Sequence, residues 1–142
     1  MPINEAAGCF VIVGNSVLLA KRAAKCHLTG RSLPFPEYWS ILAGAKESGE
    51  NPIVCAQREL FEETQIKVEL HQLEYAYTIN NDSVELILYC VVLDDIPDVT
   101  INKEHTEYGW FDIDALNSFN EKIDHNIVEI ISFYKKNRFK LP

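Results

Sequence analysis

From Leu86 to Leu93 the chain reads LILYCVVL, eight apolar residues in a row between Glu85 and the acidic turn that begins at Asp94. A strand with this composition has no polar face to show to water, so it belongs at the centre of a sheet covered on both sides. Two other segments can supply the covering layers. Asn51 followed by Pro52 places a capping side chain and a proline where a helix start favours them, and Ile53, Ala56 and Leu60 then recur at helical spacing. Near the end, Asn120 to Lys136 carries Ile123, Ile127, Ile130, Ile131 and Tyr134 on one stripe, with Lys135 and Lys136 in a last turn that suits the helix dipole. Gly8 to Val13 and Ser16 to Lys21 flank a Gly14-Asn15 turn and read as a hairpin. Further strands are expected at Trp39 to Ala43, Val68 to Thr78 and Tyr108 to Phe111, with a loop from Ala23 to Pro36. The expectation is an α/β chain, a mixed sheet between helices.

No repeat, low-complexity segment or linker divides the 142 residues, so residues 1–142 are expected to form one domain. The formal charge of -8 repels polyanions, which counts against nucleic acid and anionic membranes as partners. No apolar run approaches the ~18 residues of a membrane span, and no basic-then-apolar leader is visible. Cys9, Cys26, Cys55 and Cys90 form no C-x-x-C pair and read as packed free thiols. A cytoplasmic setting is expected.

The chemistry concentrates on the middle helix. Glu59, Glu62 and Glu63 stand at i, i+3 and i+4, so three carboxylates share one face. Such like-charge pairs destabilise a helix by roughly 0.2–0.5 kcal/mol each. Glu63, seven residues after Ala56, also borders the apolar stripe, where a carboxylate needs a partner. A hard divalent cation would turn the repulsion into binding, whereas a solvated acidic face is the alternative that spacing alone leaves open. Arg58, at i, i+4 from Glu62, can hold a carboxylate in place.

The segment Gly44 to Ile66, GAKESGENPIVCAQRELFEETQI, resembles the signature of the Nudix hydrolases, G-x5-E-x7-R-E-U-x-E-E-x-G-U with U a bulky aliphatic. Gly44, Glu50, Arg58, Glu59, Leu60, Glu62, Glu63 and Ile66 occupy the required positions, eight of nine, in unbroken spacing over 23 residues. Gln65 stands where the pattern has glycine, and Ala43 replaces a second glycine that often precedes the motif. A left-handed cap at Gln65 costs about 1 kcal/mol, or else the loop takes another course.

The resemblance implies a Nudix-like α/β/α sandwich and hydrolysis of a diphosphate linkage in a nucleoside diphosphate joined to another group. It implies magnesium, or manganese, as cofactor. It also implies Glu59, Glu62, Glu63 and the Ala43 carbonyl as metal ligands. Arg58 would orient Glu59, Glu50 would pin the loop or join an outer metal shell, and Glu104 would act as general base, with Glu107 or Glu59 as alternatives. Lys21, Arg22 and Lys25 would receive phosphates. A (deoxy)nucleoside triphosphate is the leading expected substrate, ahead of nucleotide sugars, ADP-ribose, dinucleoside polyphosphates and capped RNA. A nucleotide-binding sensor without turnover is the reading from another class, and the molecule is expected to be a monomer or a homodimer.

Overall fold

A computed structural model describes residues 4–24, 37–80 and 83–138. Strand β1 (Asn4–Val13) pairs in parallel with β6 (Val84–Leu93) along its whole length, and β6 is antiparallel to the edge strand β5 (Glu74–Asn80). The apolar run therefore lies between two other strands, although Val92, 39% exposed, is not covered as the composition suggested. Leu88 and Cys90 enter the core on one face and Val91 enters the core on the other. The same alternation sorts β1. Ala7, Cys9 and Val11 pack with Cys55, Ala56 and Leu60 of helix α1 (Pro52–Thr64), whereas Phe10 and Ile12 pack with Ile127, Val128 and Ile131 of helix α2 (His125–Arg138). A mixed sheet between two helical layers results, the architecture expected from sequence.

The other edge of β1 differs from a plain hairpin. After the turn at Gly14, β1 and β2 (Ser16–Arg22) pair only at Ile12 with Val17 and Val13 with Ser16. They then fork, and one segment fills the fork. Its first part, β3 (Trp39–Ser40), pairs with β2, and its second, β4 (Leu42–Ala45), pairs with β1. The expected single strand is thus two short ones broken at Ile41. The insertion gives backbone groups of the diverging strands new partners. It also carries the start of the carboxylate-bearing segment against β1, where Ala43 lies opposite Gly8. A Cβ on Gly8 would sit 2.6 Å from the Ala43 Cβ, so Gly8 provides the room that alanine takes up at position 43.

Strand β7 (His105–Asp112) pairs with the far edge of β2 from Ser16 to Arg22, which makes it longer than the expected Tyr108 to Phe111. Two other boundaries move for local reasons. Residues 66–69 are irregular and Leu70–Gln72 forms a 3-10 turn closed by the Gln72 side chain on the Glu69 N–H, so β5 begins only at Glu74. Before α2, Ile123 bridges to Trp39 and Asp124 accepts the Asn126 N–H at 3.0 Å, so the helix starts at His125 instead of Asn120. A second 3-10 segment, Ile113–Ser118, follows β7 and had no signal in the periodicity.

Helix α1 begins as its sequence predicts. The Asn51 side chain accepts the Ile53 N–H at 3.2 Å, and Pro52 fills the first turn. It ends on Gln65 in the left-handed region, φ 65°, whose N–H reaches the Phe61 carbonyl at 2.8 Å. The chain keeps the cap that glycine would favour and accepts the strain. Gln65→Gly should therefore stabilise the fold by about 0.5–1 kcal/mol, raising Tm by a few degrees. Urea unfolding checks this, and an unchanged or lower midpoint would show that the Gln65 side chain, which also reaches the Phe61 carbonyl, offsets the strain.

Candidate active site

Arg58 is the hub of the region. Its Nε and Nη2 meet the two carboxylate oxygens of Glu50 at 2.7 and 2.8 Å, a two-pronged contact that only guanidinium can make. Nη1 reaches Glu59 at 3.0 Å and both Glu62 oxygens at 3.2 Å, and Nη2 also donates to the Ala45 carbonyl at 3.2 Å. One side chain thus joins β4, the loop before α1 and the helix itself. The Glu50 carboxyl is held down to about 2, mainly by Arg58 and then by the Glu47 N–H, while Arg58 is raised by the same contact.

Glu59 lies over the bare Cα of Gly44, where an added Cβ would overlap its carboxylate. That close approach is a steric reason for glycine at the start of the motif. Burial raises the Glu59 carboxyl, against the pull of Arg58. Glu63, one turn on, is 1% exposed, and its Oε2 has no hydrogen-bond partner among the described residues. Burial first, then the charges of Glu59 and Glu104, pushes its carboxyl up to about 9. An orphaned buried carboxylate oxygen is costly unless something positive sits beside it. Among the described residues no three acidic, histidine or cysteine side chains already converge on one point, and Arg58 holds Glu59 and Glu62. The donor types still fit a hard divalent cation: Glu63, Glu59 and Glu62, with the Ala43 carbonyl at the motif's edge.

The segment between β6 and β7 closes over this face. The Thr100 N–H donates to the Thr64 carbonyl at 2.9 Å and the Asn102 N–H to the Glu63 carbonyl at 3.2 Å. These bonds satisfy carbonyls that the end of α1 leaves without helical partners. The Asn102 side-chain oxygen then accepts the Glu104 N–H at 3.1 Å, and the Glu104 carbonyl accepts the Ala23 N–H at 2.8 Å. Glu104 is held here close enough to raise both Glu59 and Glu63. Next to it, His105 is 7% exposed, with Nδ1 3.3 Å from the Asn102 oxygen. Its own burial, then Arg22, lowers it to about 4, so it is neutral at ordinary pH.

Ala43, Gly44, Glu104 and Arg22 also border a cleft of about 480 Å³, with Tyr38, Ile41, Leu86 and Ile127 on its apolar walls and Asp124 at its rim. Arg22 makes no ion pair among the described residues. Its neighbour Lys21 is drawn elsewhere, 3.5 Å from Glu107 and 3.8 Å from Glu121. The structure thus brings Arg22 and Glu104 to the cleft and leaves Lys21 and Glu107 paired outside it. Lys25 lies outside the described residues. Trp39 is core, packed edge-on against Phe111 and Phe119. The sequence reading did not single out Asn102, Thr100 or the cleft walls. Only the Asn102-x-Glu104 spacing, which suits a side-chain-to-backbone turn, hinted at the first.

A model of the NUDIX domain matches residues 2–131, so the chain belongs to the Nudix family. It is 32% identical over 107 residues to an NAD-capped RNA hydrolase, NudC, from Chromobacterium violaceum, and 33% identical over 82 residues to an octanoyltransferase from Myxococcus xanthus. Those alignments take in 73% and 54% of this chain but only 40% and 23% of the respective relatives. Among solved structures, a MutT/nudix family protein from Enterococcus faecalis aligns with 99% of this chain and 63% of its own at TM-score 0.80 and 15% identity. A bifunctional NMN adenylyltransferase/ADP ribose pyrophosphatase from Francisella tularensis, complexed with AMP and a manganese ion, aligns with 96% of this chain and 42% of its own at TM-score 0.75 and 20% identity. These structural likenesses establish the fold.

Two outcomes follow from the geometry. Gly44→Ala should displace the Glu59 carboxylate and loosen its 3.0 Å contact with Arg58, with an unchanged far-UV CD spectrum, because β4 itself tolerates alanine. A shift of the Glu59 side-chain carboxyl carbon signal in NMR relative to wild type reads this. For His105 the folded-state value lies below the unfolded ~6.5, so stability present above pH 6.5 is lost as pH falls toward 4. Between pH 7 and pH 5 the wild type should lose about 2 kcal/mol more than His105→Gln, measured by urea unfolding at both pH values.

Proposed function

We propose that this chain is a divalent-metal-dependent hydrolase that cleaves a diphosphate linkage in a nucleotide, with a (deoxy)nucleoside triphosphate as the leading substrate. One observation carries the reading: the buried Glu63 carboxyl, whose Oε2 has no hydrogen-bond partner among the described residues, lies beside Glu59, next to a cleft of about 480 Å³ that Arg22 also lines. A site with an excess of carboxylates repels a polyphosphate unless a cation intervenes. When bound, magnesium or manganese would neutralise charge on the diphosphate and acidify the attacking water. Glu59, Glu62, Glu63 and the Ala43 carbonyl would hold it.

The other groups divide the remaining work. Arg58 fixes the direction of Glu59 and, through Glu50, closes the loop on the helix. Glu104, exposed at the edge of the cleft, takes the proton from water as general base. Arg22 receives a phosphate by paired N–H donors. Tyr38, Ile41, Leu86 and Ile127 offer the nucleoside apolar walls. The buried thiols of Cys9, Cys55 and Cys90, outside any disulfide among the described residues, suit a reducing, cytoplasmic compartment, and no helix among the described residues is long and apolar enough to cross a membrane.

A second reading, hydrolysis of a dinucleotide or ADP-ribose-type diphosphate, is favoured by the likeness to NudC. A binder without turnover is disfavoured because every glutamate of the motif is retained. The test is a hydrolysis panel of dGTP, ATP, NAD, ADP-ribose and a dinucleoside polyphosphate, with magnesium and then manganese. Glu63→Gln should lower kcat/KM by roughly 10³-fold on the preferred compound while remaining folded. Preference for NAD or ADP-ribose would move the assignment to the second reading. A folded wild type that turns over none of them with either metal would leave a nucleotide sensor.

A further inference from the structure

Glu104 sits on a connection of eleven residues, 94–104, that has no regular secondary structure, yet general-base catalysis needs its carboxylate within hydrogen-bond reach of one water. The structure solves this with a single side chain. Asn102 faces two ways. Its backbone N–H is on the Glu63 carbonyl at 3.2 Å, and its side-chain oxygen accepts the Glu104 N–H at 3.1 Å, with His105 Nδ1 also 3.3 Å from that oxygen. Its carbonyl also accepts the His105 N–H at 3.2 Å, which turns the chain into β7. The path from the buried helix carboxylate to the loop carboxylate therefore runs through one residue and two hydrogen bonds. Beyond Glu104, the Ala23 N–H holds the carbonyl and joins the loop to the end of β2, next to Arg22. No other side chain of the loop donates to or accepts from the Glu104 backbone among the described residues.

We propose that Asn102 is a positioning residue for Glu104, fixing the loop carboxylate relative to the carboxylates of α1 so that base and metal ligands keep one geometry. The inference rests on the reading of Glu104 as the base. Alanine at position 102 removes the acceptor but not the backbone bond to Glu63, so α1 and its ligand set stay in place. Aspartate has the same shape and keeps an acceptor for the Glu104 N–H.

The experiment is a double-mutant cycle on kcat with magnesium and the faster of dGTP and ADP-ribose, together with amide exchange at Glu104. Asn102→Ala should lower kcat about 30-fold with KM within about twofold, the scale expected when a catalytic group drifts by about 1 Å. Asn102→Asp should recover kcat to within about threefold of wild type. In a Glu104→Gln background, Asn102→Ala should have no further effect, because the group it positions is already gone. Exchange of the Glu104 amide should be at least about tenfold faster in Asn102→Ala and near wild type in Asn102→Asp, with manganese affinity unchanged in both. An equal fall in kcat in both backgrounds would overturn the proposal in favour of a general structural role. So would full activity in Asn102→Ala with an unprotected Glu104 amide. If Glu104→Gln is as active as wild type while Glu63→Gln is dead, the base assignment falls and takes this inference with it. If Glu104→Gln is dead and Asn102→Ala is fully active, the positioning role alone fails.

Discussion

The guanidinium of Arg58 is the interaction on which the rest of this face depends. Without it α1 would carry three carboxylates on neighbouring positions with no compensating charge, and the loop before the helix would have nothing to close on. Five donors in a fixed plane allow contacts to Glu50, Glu59, Glu62 and the Ala45 carbonyl at the same time. Lysine would supply the charge but not the fork, so the loop, β4 and α1 would lose their common point of attachment. The motif spacing follows from this. Glu50 must lie one loop and two helical turns before Arg58 to meet it, and Glu59 must follow Arg58 directly to share Nη1.

Arg58 is not enough to neutralise the site. Among the described residues, Arg58 and Arg22 face Glu50, Glu59, Glu62, Glu63 and Glu104, and the most buried of these, Glu63, has an oxygen with no partner there. A sequence selected for stability alone would not place a carboxylate at 1% exposure against the apolar stripe of a helix. The fold tolerates it because α1 is fastened elsewhere. Cys55, Ala56 and Leu60 are wholly buried against β1, and the helix is capped at both ends. The cost is concentrated in the place where a cation or a charged substrate can offset it.

What could be read in advance was what depends on near neighbours in the chain. The cap at Asn51 and the neighbouring carboxylates of α1 rest on helical spacing, and the pairing of Leu86 to Leu93 between two other strands rests on an unbroken apolar run. The fork between β1 and β2 was not legible. Pairing of Gly8 with Ala43 and of Lys21 with Trp39 depends on residues more than fifteen positions apart. Lys21 and Arg22 could not be told apart for a related reason. The two are adjacent in one strand, the register with β7 shifts between them, and only tertiary neighbours decide which of the two meets Glu107 and Glu121 and which meets the cleft. Gln65 could be read as an anomaly but not resolved, because a left-handed glutamine and a rerouted loop are both within a small free-energy difference.

The deeper reason that Thr100 and Asn102 escaped notice is that the order of their loop is borrowed from the helix. The end of any helix leaves carbonyls in need of donors, and here Thr100 and Asn102 provide them at Thr64 and Glu63. The same N–H groups that complete α1 therefore fix the height of the loop above the carboxylates. Helix termination and assembly of the site become one event, with Gln65 turning the chain away so that the loop can approach. On the opposite side, the Ala23 N–H ties the Glu104 carbonyl to the end of β2 and so to Arg22. Glu63, Glu104 and Arg22 come from a helix, a loop and a strand, yet a short series of hydrogen bonds, one of them to the Asn102 side chain, connects all three. Contact with Arg22 in the cleft therefore acts on the same bonded unit that holds Glu104.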